Sequence, residues 1–268
     1  MKQINFFKYQ DCQIEYLKID NNSKENILLI HGFSADFDYY HKFYDYIDSH
    51  NIHALNAPFH GNSTGSKVTM NMDYILEILE FYITSNKLKN LNIIGHSMGG
   101  GLAMMLVKKF GDIIKNIILV GPMSRSGLVK TEVFKESFFP RNIKEYEKLA
   151  ALCYYDPNIV LKNPEYMQML DNYFKNNQEK LDYIYELGHS LPNLENMDKI
   201  DEGIANYKGN LYLLYGDHDG IIDTEKISNY YHFLNPNTKT IIFQNAGHSP
   251  WFEKENSFFG LIDLLLNR

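Results

Sequence analysis

Six short apolar runs constrain this chain more than any other feature. They fall at Asn26–Ile30 (NILLI), Ile52–Leu55, Leu91–Ile94, Ile117–Val120, Leu211–Tyr215 and Thr240–Phe243. A run that is apolar at nearly every position, not at alternate ones, suits a strand buried on both faces, as strands of parallel sheets are. Helical patterns lie between them. Ile75, Leu76, Leu79, Tyr82 and Ile83 share one helical face, as do Leu102, Ala103, Leu106, Val107 and Phe110, which Gly111 ends. Strand and helix alternating this often predict an α/β fold with a mostly parallel central sheet flanked by helices. Phe6 to Ile19 alternate loosely and bend at Gln10-Asp11, so an opening pair of strands is expected there.

The alternation stops at Pro122. From Arg125 to about Lys208 helical stripes replace buried strands. One begins at Asn163-Pro164 and places Tyr166, Met169, Leu170, Tyr173 and Phe174 on a single face. The expected organisation is a core of residues 1–124 and 207–268, with residues 125–206 as a helical cap inserted after the sixth strand. A chain of 268 residues with 44% hydrophobic content can bury such a core.

Composition narrows the partners. Net charge is −7 and no basic run occurs, so neither nucleic acid nor an anionic membrane is an expected partner. The N-terminal stretch lacks the apolar core of a signal peptide, and no 18-residue apolar run exists, so no integral membrane segment is expected and the cytoplasm is the expected location. Cys12 and Cys153 form neither a disulfide framework nor a metal-ligand cluster. No metal or organic cofactor is expected, and the oligomeric state is not encoded in any of these features.

The chemistry concentrates at Ile93–Gly101, IIGHSMGGG, where Gly95 and Gly99–Gly101 surround Ser97. Gly-x-Ser-x-Gly alone is a weak signal, but here it follows an apolar strand and opens an amphipathic helix, the setting of a nucleophile elbow. Such a turn lifts the hydroxyl above the strand end, beside the unpaired N–H groups of the helix start. The plainer alternative is a glycine-rich turn with a capping serine.

A serine needs a base, and the base needs an orienting group. His248 lies in Asn245–Pro250 (NAGHSP), just beyond the final strand, where open parallel sheets present their working loops. His31 and His96 read as scaffold residues, and His60, His189 and His218 as possible pocket liners. For the acid, Tyr215–Asp223 (YGDHDGIID) offers three aspartates. Asp223 suits a helix N-cap and Asp217 the turn itself, which leaves Asp219, followed by Gly220. The order Ser97, Asp219, His248 places all three after strands and matches a known order of this triad.

These motifs resemble the α/β-hydrolase superfamily, close to its capped serine esterases and lipases, including the monoacylglycerol-lipase-like branch. The likeness covers nearly the whole chain outside the cap. It rests on His31-Gly32-Phe33, Gly95-His96-Ser97-Met98-Gly99-Gly100, Gly216-x-x-Asp219 and Gly247-His248-Ser249-Pro250. The resemblance implies Ser97 as nucleophile, Asp219 as acid, His248 as base, and the backbone N–H groups of Phe33 and Met98 as oxyanion hole. It departs at Asn56–Ser63 (NAPFHGNS), where many members read Asp-x-Arg-Gly-x-Gly-x-Ser; Asn56 and Phe59 stand for an acid and a glycine.

The expected activity is that of a serine hydrolase acting on a small-molecule carboxylic ester, of short-to-medium acyl or monoacylglycerol-like type, through an acyl-enzyme. A thioesterase, a proline-releasing aminopeptidase, a carbon–carbon bond hydrolase or a cofactor-free perhydrolase would use the same residues. A non-catalytic ligand-binding protein of this fold is the reading from another class.

Overall fold

The computed structural model describes residues 2–267. Eight strands form one sheet in the order β1-β2-β4-β3-β5-β6-β7-β8. They are β1 (Lys2–Tyr9), β2 (Cys12–Ile19), β3 (Asn26–Ile30), β4 (Asn51–Leu55), β5 (Leu91–His96), β6 (Ile114–Val120), β7 (Asn210–Gly216) and β8 (Lys239–Phe243). β1 and β2 form a hairpin through Gln10-Asp11, and β2 runs antiparallel to β4; every pairing from β4 to β8 is parallel.

The apolar runs are strands because the sheet is covered on both sides. Ile27 and Leu29 of β3, Ile94 of β5 and Ile118 of β6 face one layer, where Phe43 of α1 (His41–Tyr46) and Phe258, Phe259 and Ile262 of α12 (Glu255–Leu266) meet them. Their neighbours Leu28, Ile93, Ile117 and Leu119 face the other, against α2 (Met72–Ser85), α3 (Met98–Phe110) and α10 (Ile227–Leu234). Period-two alternation is thus present in space but invisible in a sequence that is apolar at every position.

Between β6 and β7 the described residues form helices and no strand: α4 (Thr131–Ser137), α5 (Ile143–Cys153), α6 (Asn158–Leu161), α7 (Pro164–Asn176), α8 (Gln178–His189) and α9 (Leu194–Asn206). Asn163 caps α7 by accepting from the Tyr166 N–H at 3.1 Å, with Pro164 at the first helical position, where a missing N–H costs nothing. Tyr146, Ala150, Phe174, Leu181 and Ile184 give α5, α7 and α8 a small core of their own. α9 behaves differently. Its Met197, Ile200 and Ile204 are fully buried in the sheet's helical layer, so this last segment of the 125–206 stretch packs with the core helices. Arg125 anchors the start of the stretch to α9 through Asp198 and, at 2.6 Å, Asp201.

The departure at Asn56–Ser63 has a structural counterpart. A carboxylate does reach this loop, but from β2: Glu15 accepts from Asn56 Nδ2 at 2.8 Å and from both the backbone N–H and the Nδ2 of Asn62 at 2.8 and 2.7 Å. Phe59, at φ +60°, stacks on Tyr183 of α8 with ring centroids 4.1 Å apart, and Lys180 of α8 donates to the Gly61 carbonyl. The loop therefore holds the inserted helices against the core.

Candidate active site

β5 ends under Ser97, which sits at φ 54°, ψ −119°, a conformation costly for any residue with a side chain. The surroundings hold it there. Ser97 N–H donates to the Val120 carbonyl at 3.0 Å, and the Ser97 carbonyl accepts from Gly100 and Met123, both at 2.9 Å. Gly99 is required by close approach, since a Cβ there would collide with the carbonyl oxygens of Ile30 and His31. That approach sets the β3 loop, with Phe33, against the start of α3.

β7 and β8 deliver the other two side chains. His248 Nδ1 and Asp219 Oδ2 are 2.7 Å apart, and both side chains are buried. The second carboxylate oxygen of Asp219 accepts from the Ile221 N–H at 2.9 Å, so the acid is held by its own turn. Nδ1 of His248 is committed to Asp219, and His248 and Ser97 line one cavity. Gly121, at φ +50°, closes the floor: a Cβ there would stand 2.8 Å from His248 Nδ1 and 3.0 Å from Asp219 Oδ2. The other two aspartates are engaged elsewhere. Asp217 bonds the exposed His218 at 2.7 Å, and Asp223 accepts from the Lys226 N–H at 3.2 Å.

The N–H groups of Phe33 and Met98 have no acceptor among the described residues, and both residues line a cavity with Ser97. Met98 opens α3, so its N–H has no preceding turn to bond and lies at the positive end of the helix.

Two features were not legible in the sequence. First, the inserted helix α5 touches both working loops: the Leu152 and Cys153 carbonyls accept from Gly220 N–H at 3.0 Å and His248 N–H at 2.7 Å. Second, His96 ties the base loop to the Gly32 loop. Its Nε2 lies 3.0 Å from the His248 carbonyl, which can only accept, so Nε2 carries the proton. Burial, reinforced by nearby His248, holds its pKa well below the usual value. Nδ1 of the neutral ring therefore accepts from the Tyr40 hydroxyl at 2.8 Å, and that hydroxyl accepts from Gly32 N–H at 3.0 Å. Tyr40 lies in a Tyr-Tyr pair with no motif around it, so no local signal marks it.

His96 is one of five buried histidines whose pKa is lowered chiefly by burial; the others are His31, His50, His53 (to about 4) and His60 (to about 3). A folded-state pKa below the unfolded one means that the unfolded chain binds more protons once pH drops below about 6.5, so stability falls with pH. The loss per histidine approaches about 1.4 kcal/mol per pH unit and continues until the folded pKa is passed. Thermal melts should be flat from pH 8 to 7 and decline steeply from 6.5 to 5, a window above most carboxylate titration. An unchanged midpoint across that window would refute the neutral-histidine assignment.

Another cleft, about 750 Å³, lies between α2, α3 and α9. Several of its charged groups pair with one another, Lys109 with Glu80 at 2.7 Å and Lys199 with Asp73 at 2.7 Å, and among the described residues no serine, cysteine or histidine lines it. Among the described residues, no helix is long and apolar enough to cross a membrane.

This architecture is that of a known family. A sequence model of the alpha/beta hydrolase fold matches residues 25–255, and the chain belongs to that family. Among curated proteins it is 23% identical over 249 residues to Lipase 1 of Psychrobacter immobilis, covering 89% of this chain and 75% of that protein. It is 22% identical over 253 residues to a Mycoplasma pneumoniae protein provisionally named esterase/lipase 1, covering 92% and 93%. A serine hydrolase from Cycloclasticus zankles superposes with a TM-score of 0.81 at 18% identity, over 100% of this chain and 98% of that one. The Exiguobacterium antarcticum esterase gives 0.79 at 15% identity, over 99% and 100%.

Proposed function

We propose that this chain is a serine hydrolase that cleaves carboxylic esters of short-to-medium acyl chains, with Ser97 as nucleophile, His248 as base and Asp219 as its orienting acid. The observation that carries the reading is that Ser97, strained at its elbow, and His248, held by Asp219 at 2.7 Å, line one cavity together. The relatives named as lipases and esterases support ester cleavage over other acyl transfers.

His248 Nε2 takes the Ser97 proton as Oγ attacks the ester carbonyl. Asp219 keeps the Nδ1 proton in place and stabilises the imidazolium that forms. The Phe33 and Met98 N–H groups receive the oxyanion; one such donor is typically worth about 3 kcal/mol in the transition state. His248 returns its proton to the leaving alkoxide, the C–O bond breaks, and water, deprotonated by the same nitrogen, releases the acid. These steps use only side chains, backbone and water.

Labelling with a fluorophosphonate probe followed by peptide mass spectrometry tests the reading. One adduct per chain on the peptide bearing Ser97 is expected. A native, folded protein that takes no adduct, or takes it on another residue, would overturn the assignment and favour a ligand-binding role.

A further inference from the structure

Two chambers meet at Ser97. Phe33 and Phe138 line both, and otherwise they differ in chemistry. The smaller, about 70 Å³, is walled mainly by apolar residues, among them Met98, Pro122, Met123, Phe134, Leu191 and Ile222, with Ser124, Lys130 and Thr131 also in its lining. The larger, about 190 Å³, is lined by Tyr39, Tyr146, Tyr154, Tyr166, Tyr173 and Tyr185, and among the described residues no Lys, Arg, Asp or Glu lines it. His248 lines the larger chamber and not the smaller.

That asymmetry orients a substrate. The leaving oxygen must take its proton from His248 Nε2, and general acid transfer requires hydrogen-bond reach. The alcohol portion therefore departs into the chamber that His248 lines, and the acyl chain, on the other side of the carbonyl carbon, enters the apolar one. Beside His248 the tyrosine chamber carries a hydroxyl cluster. Tyr39 Oη lies 2.8 Å from Ser249 Oγ and 3.3 Å from Tyr154 Oη. Three hydroxyls hold three protons, and two links use two of them. One O–H thus remains without an acceptor among the described residues, although Tyr154 and Ser249 are buried.

We propose that the larger chamber is a leaving-group subsite for an uncharged alcohol bearing a further hydroxyl, which the Tyr39–Tyr154–Ser249 cluster binds, and that the smaller chamber limits the acyl group to short chains. This rests on the ester-hydrolase reading of the same site. In the reaction the Ser97 Oγ–C bond forms, the C–O bond to this alcohol breaks, and the alcohol leaves with the proton that Ser97 gave up. The absence of charged groups rejects ionic alcohols, because a buried charge without a partner is costly.

The test compares 2-hydroxyethyl butyrate with n-propyl butyrate, which differ by one hydroxyl in place of a methyl. In Tyr154→Phe the ratio of their kcat/KM values should fall about five- to ten-fold towards unity, the scale of one hydrogen bond. Ser249→Ala reports on the same cluster if Tyr154→Phe folds poorly. Ile222→Ala, in the acyl wall, should instead move the chain-length optimum from acetate and butyrate towards octanoate while the hydroxyl ratio stays at its wild-type value. An unmoved ratio in Tyr154→Phe and Ser249→Ala, or a change of alcohol preference on Ile222→Ala, would overturn the assignment while p-nitrophenyl butyrate turnover and Ser97 labelling persist. Loss of those two readouts in the unsubstituted protein would overturn the ester reading and this inference together.

Discussion

Ser97→Ala is expected to lower kcat on p-nitrophenyl butyrate by about 10⁴- to 10⁶-fold, with KM little changed and the melting temperature equal or higher. The size of the loss follows from the role. On the proposed mechanism, loss of Oγ removes the acyl-enzyme and leaves attack by water assisted by the Phe33 and Met98 donors, a residual worth about 10³–10⁴ over the uncatalysed reaction. The stability side follows from the backbone. At φ 54° any Cβ is strained, so alanine is no worse than serine there, and removing a hydroxyl that serves chemistry costs the fold little. Steady-state kinetics with active-site titration would check this. A variant that retains more than a tenth of wild-type turnover would end the case for Ser97 as nucleophile.

The second large effect separates two neighbouring acids, Asp217 and Asp219. Asp219→Asn should lower kcat by about 10⁴-fold, because an amide favours the wrong imidazole tautomer and cannot balance the imidazolium charge. Asparagine preserves the volume, and its oxygen can still accept from the Ile221 N–H, so the loss should appear in kcat with the fold intact. Asp217→Asn should stay within about three-fold of wild type, since its pair with the exposed His218 is of the kind worth under about 1 kcal/mol. Equal losses for the two variants would mean that the turn, and not the Asp219 carboxylate, is what His248 depends on.

The reason these acids need an experiment is also the reason the sequence separates them only weakly. Asp217, Asp219 and Asp223 lie within seven residues on one turn. Local chemistry identifies a capping role for Asp223, but nothing near Asp219 in the chain marks which carboxylate meets an imidazole 29 residues later. Assigning Asp223 to a cap and Asp217 to the turn left Asp219, and the resemblance to hydrolases added support. The strained serine was easier to read, because strand, turn and helix are contiguous and the glycines that permit the elbow stand beside it. The inner strands were legible for a similar reason, burial on both faces, whereas β8, expected to be buried likewise, is the edge strand and leaves Ile242 44% exposed.

The long-range contacts were not. Tyr40 reaches His96 across 56 positions, and His96 reaches the His248 carbonyl across 152, yet neither contact leaves a local pattern. The tyrosine chamber is similar. Aromatic residues on helical faces of residues 125–206 read equally well as packing, and only their convergence with Tyr39 and Ser249 gives them a common cavity. Gly121 reads as a strand-end glycine until the imidazole and carboxylate are found against its Cα. The placement of α9 with the core helices likewise depended on what its apolar face would meet.

The amino-acid sequence by itself determined the strand and helix alternation, the elbow at Ser97 and the chain order of the groups that meet there. Each arises from φ/ψ preferences, capping or burial periodicity among residues close in the chain. How His96 and Tyr40 join two loops, and which tyrosine rings share a cavity with Ser97 and His248, were decided only by tertiary structure. Those arrangements depend on packing between segments tens to hundreds of residues apart, where the partner of a side chain is set by the whole fold and not by its neighbours.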